Sequence, residues 1–149
     1  MKIQLLLPAG DIHRNKTGIF KRSLRYAPLT LTTLAALVPT ELNADIQIQD
    51  EGVAPIDLDF DADIVGISAI TGTANRAYEL ADRLRARGAA VVLGGVHPTL
   101  MPSEAAMHAD SIVAGYAEES WPELLRDFAS GRLQSYYHRP TPRKLYVPE

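Results

Sequence analysis

The chain has no cysteine among its 149 residues. That excludes a disulfide framework, a thiolate metal site and an iron–sulfur cluster held by its own side chains. Neither sign of charge dominates: fifteen basic residues against eighteen acidic ones give a net charge of −3, which makes no global electrostatic case for a nucleic-acid partner. No apolar run approaches the roughly twenty residues of a membrane span. The apolar start, Met1 to Leu7 with Lys2 within it, is too short for a signal sequence with a cleavage site, so a cytoplasmic protein without membrane association is expected. The remaining composition, 46% hydrophobic and 22% charged, suits one soluble globular domain with a sizeable core.

Five apolar, β-prone runs alternate with helical patterns. Ile3–Leu7 is continuous and ends in Pro8-Ala9-Gly10. Asp45–Gln49 alternates Ile46 and Ile48 with Gln47 and Gln49, as a half-exposed strand near a sheet edge does. Ile64–Ala69, with Gly66 inside it, reads as a central strand buried on both faces; Ala90–Leu93 and Ser111–Ala114 are shorter runs of that kind. Between them, Pro28 suits the first turn of a helix reaching about Val38, where Pro39 ends it. Ala74–Arg87 sets Ala77, Tyr78, Ala81 and Leu84 on one face and stops at Gly88. Pro102–His108 reads as a short helix, and Ser120-Trp121-Pro122-Glu123 has capping-box spacing ahead of Leu124, Leu125 and Phe128.

Strands alternating with helices predict βαβ units, right-handed crossovers and an α/β doubly wound, flavodoxin-like (Rossmann-like) sheet of five parallel strands in the order 2-1-3-4-5. The expected domain covers 1–130, with 131–149, rich in proline and tyrosine, as a linker or tail. The stretch from Pro8 to Ala27 is far longer than an ordinary βα connection and gathers Arg14, Lys16, Lys21, Arg22 and Arg25. Such a patch attracts phosphate or an acidic surface, or is merely a solvated loop.

In such sheets ligands sit outside the carboxyl ends of the strands, which fixes where chemistry is to be sought. After the third strand, Ser68, Ile70, Thr71 and Gly72 lead into a helix start that suits a polar ligand group, while helix capping by Thr71 or Thr73 is the plainer account. After the fourth come Gly94, Gly95, Val96 and His97. A tight turn needing positive φ explains one glycine of that pair more readily than two. Pro8 and Ala9 after the first strand, and Gly115, Tyr116 and Glu118 after the fifth, complete a broad edge of small residues suited to a large planar cofactor. His108 and His138 read as surface residues.

Taken in order, these segments carry a resemblance. Tyr26-Ala27-Pro28-Leu29 with Leu34-Ala35-Ala36-Leu37, Asp63 to Ser68, Ala77-Tyr78-Glu79-Leu80-Ala81, Val91 to Ala105, Gly115-Tyr116-Ala117-Glu118 and Trp121 to Leu125 resemble the N-terminal cobalamin-binding domain of cobalamin-dependent radical S-adenosylmethionine enzymes, over roughly 1–135. The resemblance implies that Ser68, Gly94 and Gly95 line a pocket for the nucleotide tail of cobalamin, held off the cobalt, with the corrin across the strand ends. It also implies a radical S-adenosylmethionine domain in cis or in trans. The iron–sulfur cluster and S-adenosylmethionine would be held there, because this chain lacks the three cysteines; by itself it is not catalytic. Methyl transfer, rearrangement and cyclisation all use such domains.

Cobalamin carriers with an Asp-x-His-x-x-Gly motif supply histidine to cobalt and orient it with the aspartate. Asp11-Ile12-His13 keeps the first half of that motif, with Gly18 two positions late; His13 is the candidate metal ligand, and a solvated loop histidine is the competing reading. A phosphate-receiving receiver domain is excluded by Pro8-Ala9-Gly10, Ser68 and Gly115-Tyr116 where its acidic and lysine residues would stand. A flavodoxin would carry its hydroxyl-rich loop after the first strand, and no nucleophile–base pair supports a hydrolase. The alternative from another class is a domain of the same fold that binds no cofactor and serves as a protein-interaction or substrate-gating module.

Overall fold

A computed structural model describes residues 1–10 and 29–139. Among the described residues six parallel strands form one sheet: β1 (Lys2–Leu7), β2 (Asp45–Asp50), β3 (Ile64–Ser68), β4 (Ala90–Gly94), β5 (Ser111–Gly115) and β6 (Tyr136–Arg139). Their order is β2-β1-β3-β4-β5-β6, so the expected sequence of five holds and a sixth strand corrects the count. β6 lies inside the stretch expected to be a tail. Its sequence, Tyr136-Tyr137-His138-Arg139, has no apolar run because an edge strand buries one side chain here, Tyr137. Backbone pairing from Ile112↔Tyr136 to Gly115↔Arg139 holds it in place.

Strand alternation divides the core into two layers. On one face Val65, Ile67, Val91, Leu93 and Ile112 meet helix α2 (Ala74–Ala86) through Ala77, Leu80, Ala81 and Leu84. On the other, Ile3, Leu5, Ile64, Val92 and Val113 meet Leu31 of α1 (Thr30–Ala36) and Trp121, Leu124 and Leu125 of α5 (Ala117–Ala129). Two short helices, α3 (Val96–Leu100) and α4 (Pro102–Ala105), follow β4. α3 went unseen in the sequence because Gly94-Gly95 and Pro98 mark a loop by composition.

The N-terminus of α5 corrects another expectation. The helix starts at Ala117 after an extended Tyr116, so Ser120 is no N-cap: it is buried one turn in, its hydroxyl donating to Tyr116 O at 3.3 Å. Pro122 sits within the helix and withholds one helical hydrogen bond. At the other sheet edge, Gln47 and Gln49 of β2 are half-buried, joined to Gln4 and to the Asp57 carbonyl. The glutamine row thus satisfies the segment that crosses it, while Ile48 on the opposite face is the exposed one. Among the described residues no helix is long and apolar enough to cross a membrane.

Candidate functional site

A cavity of about 480 Å³ opens between α1 and the carboxyl ends of β3, β4 and β5, within the usual size range of small-molecule sites. It follows from side-chain size along the strands. On the face toward α1 and α5 the inner positions are Gly66, Val92 and Val113, and the terminal ones are Ser68, Gly94 and Gly115. β4 and β5 lose bulk toward their ends, from Val92 to Gly94 and from Val113 to Gly115, while β3 carries only Gly66 and Ser68 at these positions, so little side-chain volume fills the space beneath α1. Leu34 of α1 and Leu37 just past its end form the far wall, half-buried against the core cluster on this face.

The glycines divide by cause. Gly95 has φ +96, and a Cβ there would lie 2.8 Å from Ala69 O and 3.0 Å from Ser68 Oγ; the turn out of β4 demands it. Gly115 has φ +77 and would press on Arg139 O at 2.8 Å. Gly94 is different. Its φ is not positive, and an added Cβ would meet Val113 at ordinary contact, 3.5 and 3.7 Å. Register sets Gly94 between Ser68 and Val113, so its missing side chain is a notch in the cavity wall that packing among the described residues does not require.

Trp121 forms the floor. Its ring lies against Gly66, where a Cβ would come within 3.2 Å of it, and its Nε1 donates to Leu34 O at 3.1 Å, tying α5 to α1 across the sheet. Around the mouth stand Thr30, Thr33, Ser68, Tyr116 and Glu118. Among the described residues the Ser68 hydroxyl has no hydrogen-bond partner, and Glu118 is the one charged side chain lining the cavity.

Of the residues singled out in the sequence, Ser68, Gly94, Gly95, Gly115, Tyr116 and Glu118 line this cavity. Ile70, Thr71, Gly72 and Val96 lie outside it, exposed on the strand-end surface. Pro8 and Ala9 are buried elsewhere: Ala9 N donates to Glu51 Oε2 at 3.0 Å, and Glu51 is clasped by Arg76 at 2.6 and 2.9 Å, which raises the arginine's pKa. His13 and the basic stretch lie outside the described residues. The residues not foreseen are Gly66, Val92, Val113, Trp121 and the α1 side chains. The available signal was the small residues at alternate positions near the ends of three successive strands, Gly66 and Ser68, Gly94, and Gly115.

His97 is not in the cavity. It is buried on the α2 side, where Nε2 lies 2.8 Å from Tyr78 Oη and Nδ1 lies 3.3 Å from Thr71 Oγ1. Tyr78 Oη donates to Glu104 Oε1 at 3.0 Å; burial, reinforced by that carboxylate, pushes its pKa up to about 12. His108 is half-buried rather than on the surface, stacked on Tyr78 at 4.3 Å and bonded to Asp82 at 3.0 Å. This cluster ties the turn after β3 to α2 and α4. The plainer account of Thr71-Gly72-Thr73 also holds in part: Thr73 Oγ1 accepts from Ile70 N at 3.2 Å and closes the turn. Among the described residues no group of three or more His, Asp or Glu side chains is arranged to hold a metal ion.

Residues 16–125 match the B12 binding domain family. The chain belongs to that family. It is 43% identical over 109 residues to bacteriochlorophyllide d C-8(2)-methyltransferase of Chlorobaculum tepidum and 38% identical over 112 residues to the C-12(1)-methyltransferase of the same organism. These matches cover 73% and 74% of this chain and 24% of each enzyme. An uncharacterized methyltransferase of Pyrococcus horikoshii, PH0819, is 32% identical over 147 residues, covering 89% of this chain and 30% of that protein. The chain thus spans about a quarter of the length of the two Chlorobaculum tepidum methyltransferases.

The side chains of this B12-binding domain fit part of the ligand for which the family is named. A flat apolar floor, a notch at Gly94 and, among the described residues, a free hydroxyl at Ser68 suit a planar base joined to a polar sugar.

Proposed function

We propose that this domain holds cobalamin with the dimethylbenzimidazole tail drawn off cobalt and seated in the cavity beneath α1, the corrin lying across the strand ends. Gly94 carries the reading. The turn explains Gly95, β6 explains Gly115, and the notch between Ser68 and Val113 answers to something outside the packing of the described residues. Ser68 offers a hydroxyl to the tail, Thr30 and Thr33 offer two more at the mouth, and Gly66, Val92, Val113 and Trp121 exclude water below. The exposed Ile70, Val96 and Tyr116 give the corrin an apolar seat beside the mouth.

When bound, cobalamin supplies methyl-transfer chemistry. The methyltransferase relatives support a role in an enzyme of that reaction class, of the radical S-adenosylmethionine type, with the cluster and S-adenosylmethionine held by a domain in cis or trans because this sequence has no cysteine. His13 is the candidate for the cobalt's lower position.

The test is an absorbance spectrum after incubation with hydroxocobalamin and desalting. Retained corrin bands near one equivalent are expected. Their absence overturns the reading and leaves an interaction or gating module of the same fold. If the bands are retained, loss of a histidine-ligated spectrum in His13→Ala assigns the axial ligand, and an unchanged spectrum removes His13 from it.

A further inference from the structure

The cavity sorts polar from apolar by depth. Val92, Val113, Trp121 and Gly66 form the floor and are almost wholly buried, whereas Thr30, Tyr116 and Glu118 are exposed at the mouth and Ser68 is half-buried between them. The floor offers a ligand almost no hydrogen bond. Val92 and Val113 have no polar side-chain atom and Gly66 has no side chain, the strand backbones around them are paired in the parallel ladder, and the Trp121 Nε1 donor is already given to Leu34 O at 3.1 Å. A ligand group reaching that depth leaves water and finds no polar partner.

We infer that the floor built by Val92, Val113 and Trp121 selects the lower base of the cobamide, accepting a benzimidazole and disfavouring a purine. The inference rests on the cavity being the seat of the nucleotide tail. A dimethylbenzimidazole presents methyl groups and a hydrocarbon edge to the floor. Adenine presents ring nitrogens and an exocyclic amine, each of which loses its water without replacement. A site that leaves such groups unpaired discriminates by about tenfold or more per group. The sugar and phosphate lie nearer the mouth, where Ser68 and the threonines meet them, and contribute equally to both ligands.

The experiment measures the affinity of the full chain, by absorbance after equilibrium dialysis, for three probes: hydroxocobalamin, adeninylcobamide, and cobinamide, which has no base. The expected order is hydroxocobalamin, then adeninylcobamide at least about tenfold weaker, then cobinamide. Equal affinity for the two base-bearing probes overturns the selection and leaves the tail seat intact. Equal affinity for all three overturns the tail seat itself, and failure to retain any probe overturns cobalamin binding. Val92→Thr puts a hydroxyl in the floor at nearly constant shape, with cobinamide affinity as the control for folding. It is expected to narrow the gap between the two base-bearing probes. An unchanged gap overturns the assignment to this floor.

Discussion

Gly94 stands opposite Ser68 in the β3–β4 register, yet its neighbour in sequence, Gly95, is the one whose Cβ would strike the Ser68 hydroxyl, at 3.0 Å. Two adjacent glycines thus have separate duties, one toward the cavity and one toward the turn.

That separation predicts opposite outcomes. Gly95→Ala forces an L side chain into φ +96 and against Ala69 O, and is expected to cost about 2–3 kcal/mol of stability. Gly94→Val is expected to leave the unfolding midpoint nearly unchanged and to lower hydroxocobalamin retention at least about tenfold, with cobinamide affinity spared. Chemical denaturation and absorbance after desalting read the two effects. If both variants behaved alike, the division of labour would be wrong.

Trp121 joins α5 to α1 through a single hydrogen bond over Gly66. Trp121→Phe keeps most of the packing and strands the Leu34 carbonyl, so a loss of about 1–2 kcal/mol is expected, together with faster amide exchange in α1. Unchanged exchange in α1 would show that the helix is held by other contacts.

Glu51 accepts from Ala9 N and from Arg76 while its side chain is 7% exposed. Removing it leaves a half-buried guanidinium and the Ala9 amide without that acceptor, so Glu51→Ala is expected to destabilise by about 2–3 kcal/mol and Glu51→Gln by less. Urea midpoints of the two variants test this; equal losses would mean that the charge, rather than the amide contact, is what matters.

Tyr78 and Tyr137 are both shifted upward from 10.0 to about 12, chiefly by burial. Because the folded state holds the proton more tightly, the unfolded chain ionises first as pH rises. Stability from these groups is intact below pH 10 and is lost progressively toward pH 12. The near-ultraviolet tyrosinate signal is expected to show a late component that loses one residue in Tyr78→Phe and another in Tyr137→Phe. Titration of all tyrosines together near pH 10 would contradict it.

β1, β3, β4 and β5 were legible because a buried parallel strand needs a near-continuous apolar run, as Ile3–Leu7, Ile64–Ser68 and Val91–Leu93 have, and β2 was legible from its alternation of isoleucine and glutamine. β6 was not, since edge pairing is made by backbone atoms that leave no mark on composition. Ser120 was misread because capping-box spacing also occurs within a helix. At the site, Ser68 and the Gly94-Gly95 pair could be picked out as strand-end punctuation, whereas Trp121 and Leu34 reach the cavity only through the packing of helices distant in sequence. His97 followed the opposite course: its loop lies at the site, but its ring turns to the other side of the sheet to bond Tyr78.

The parallel direction of β6 has a topological consequence. Arg139 ends that strand level with Gly115, a cavity-lining residue, so β6 finishes on the edge where the cavity opens. An antiparallel strand of the same length would have finished at the opposite edge, roughly 13–17 Å away at about 3.3 Å per residue. Whatever the chain carries after that point is tethered at the cavity's side of the sheet. A short tether raises effective concentration into the millimolar range, so even a weak contact across this edge would be well populated.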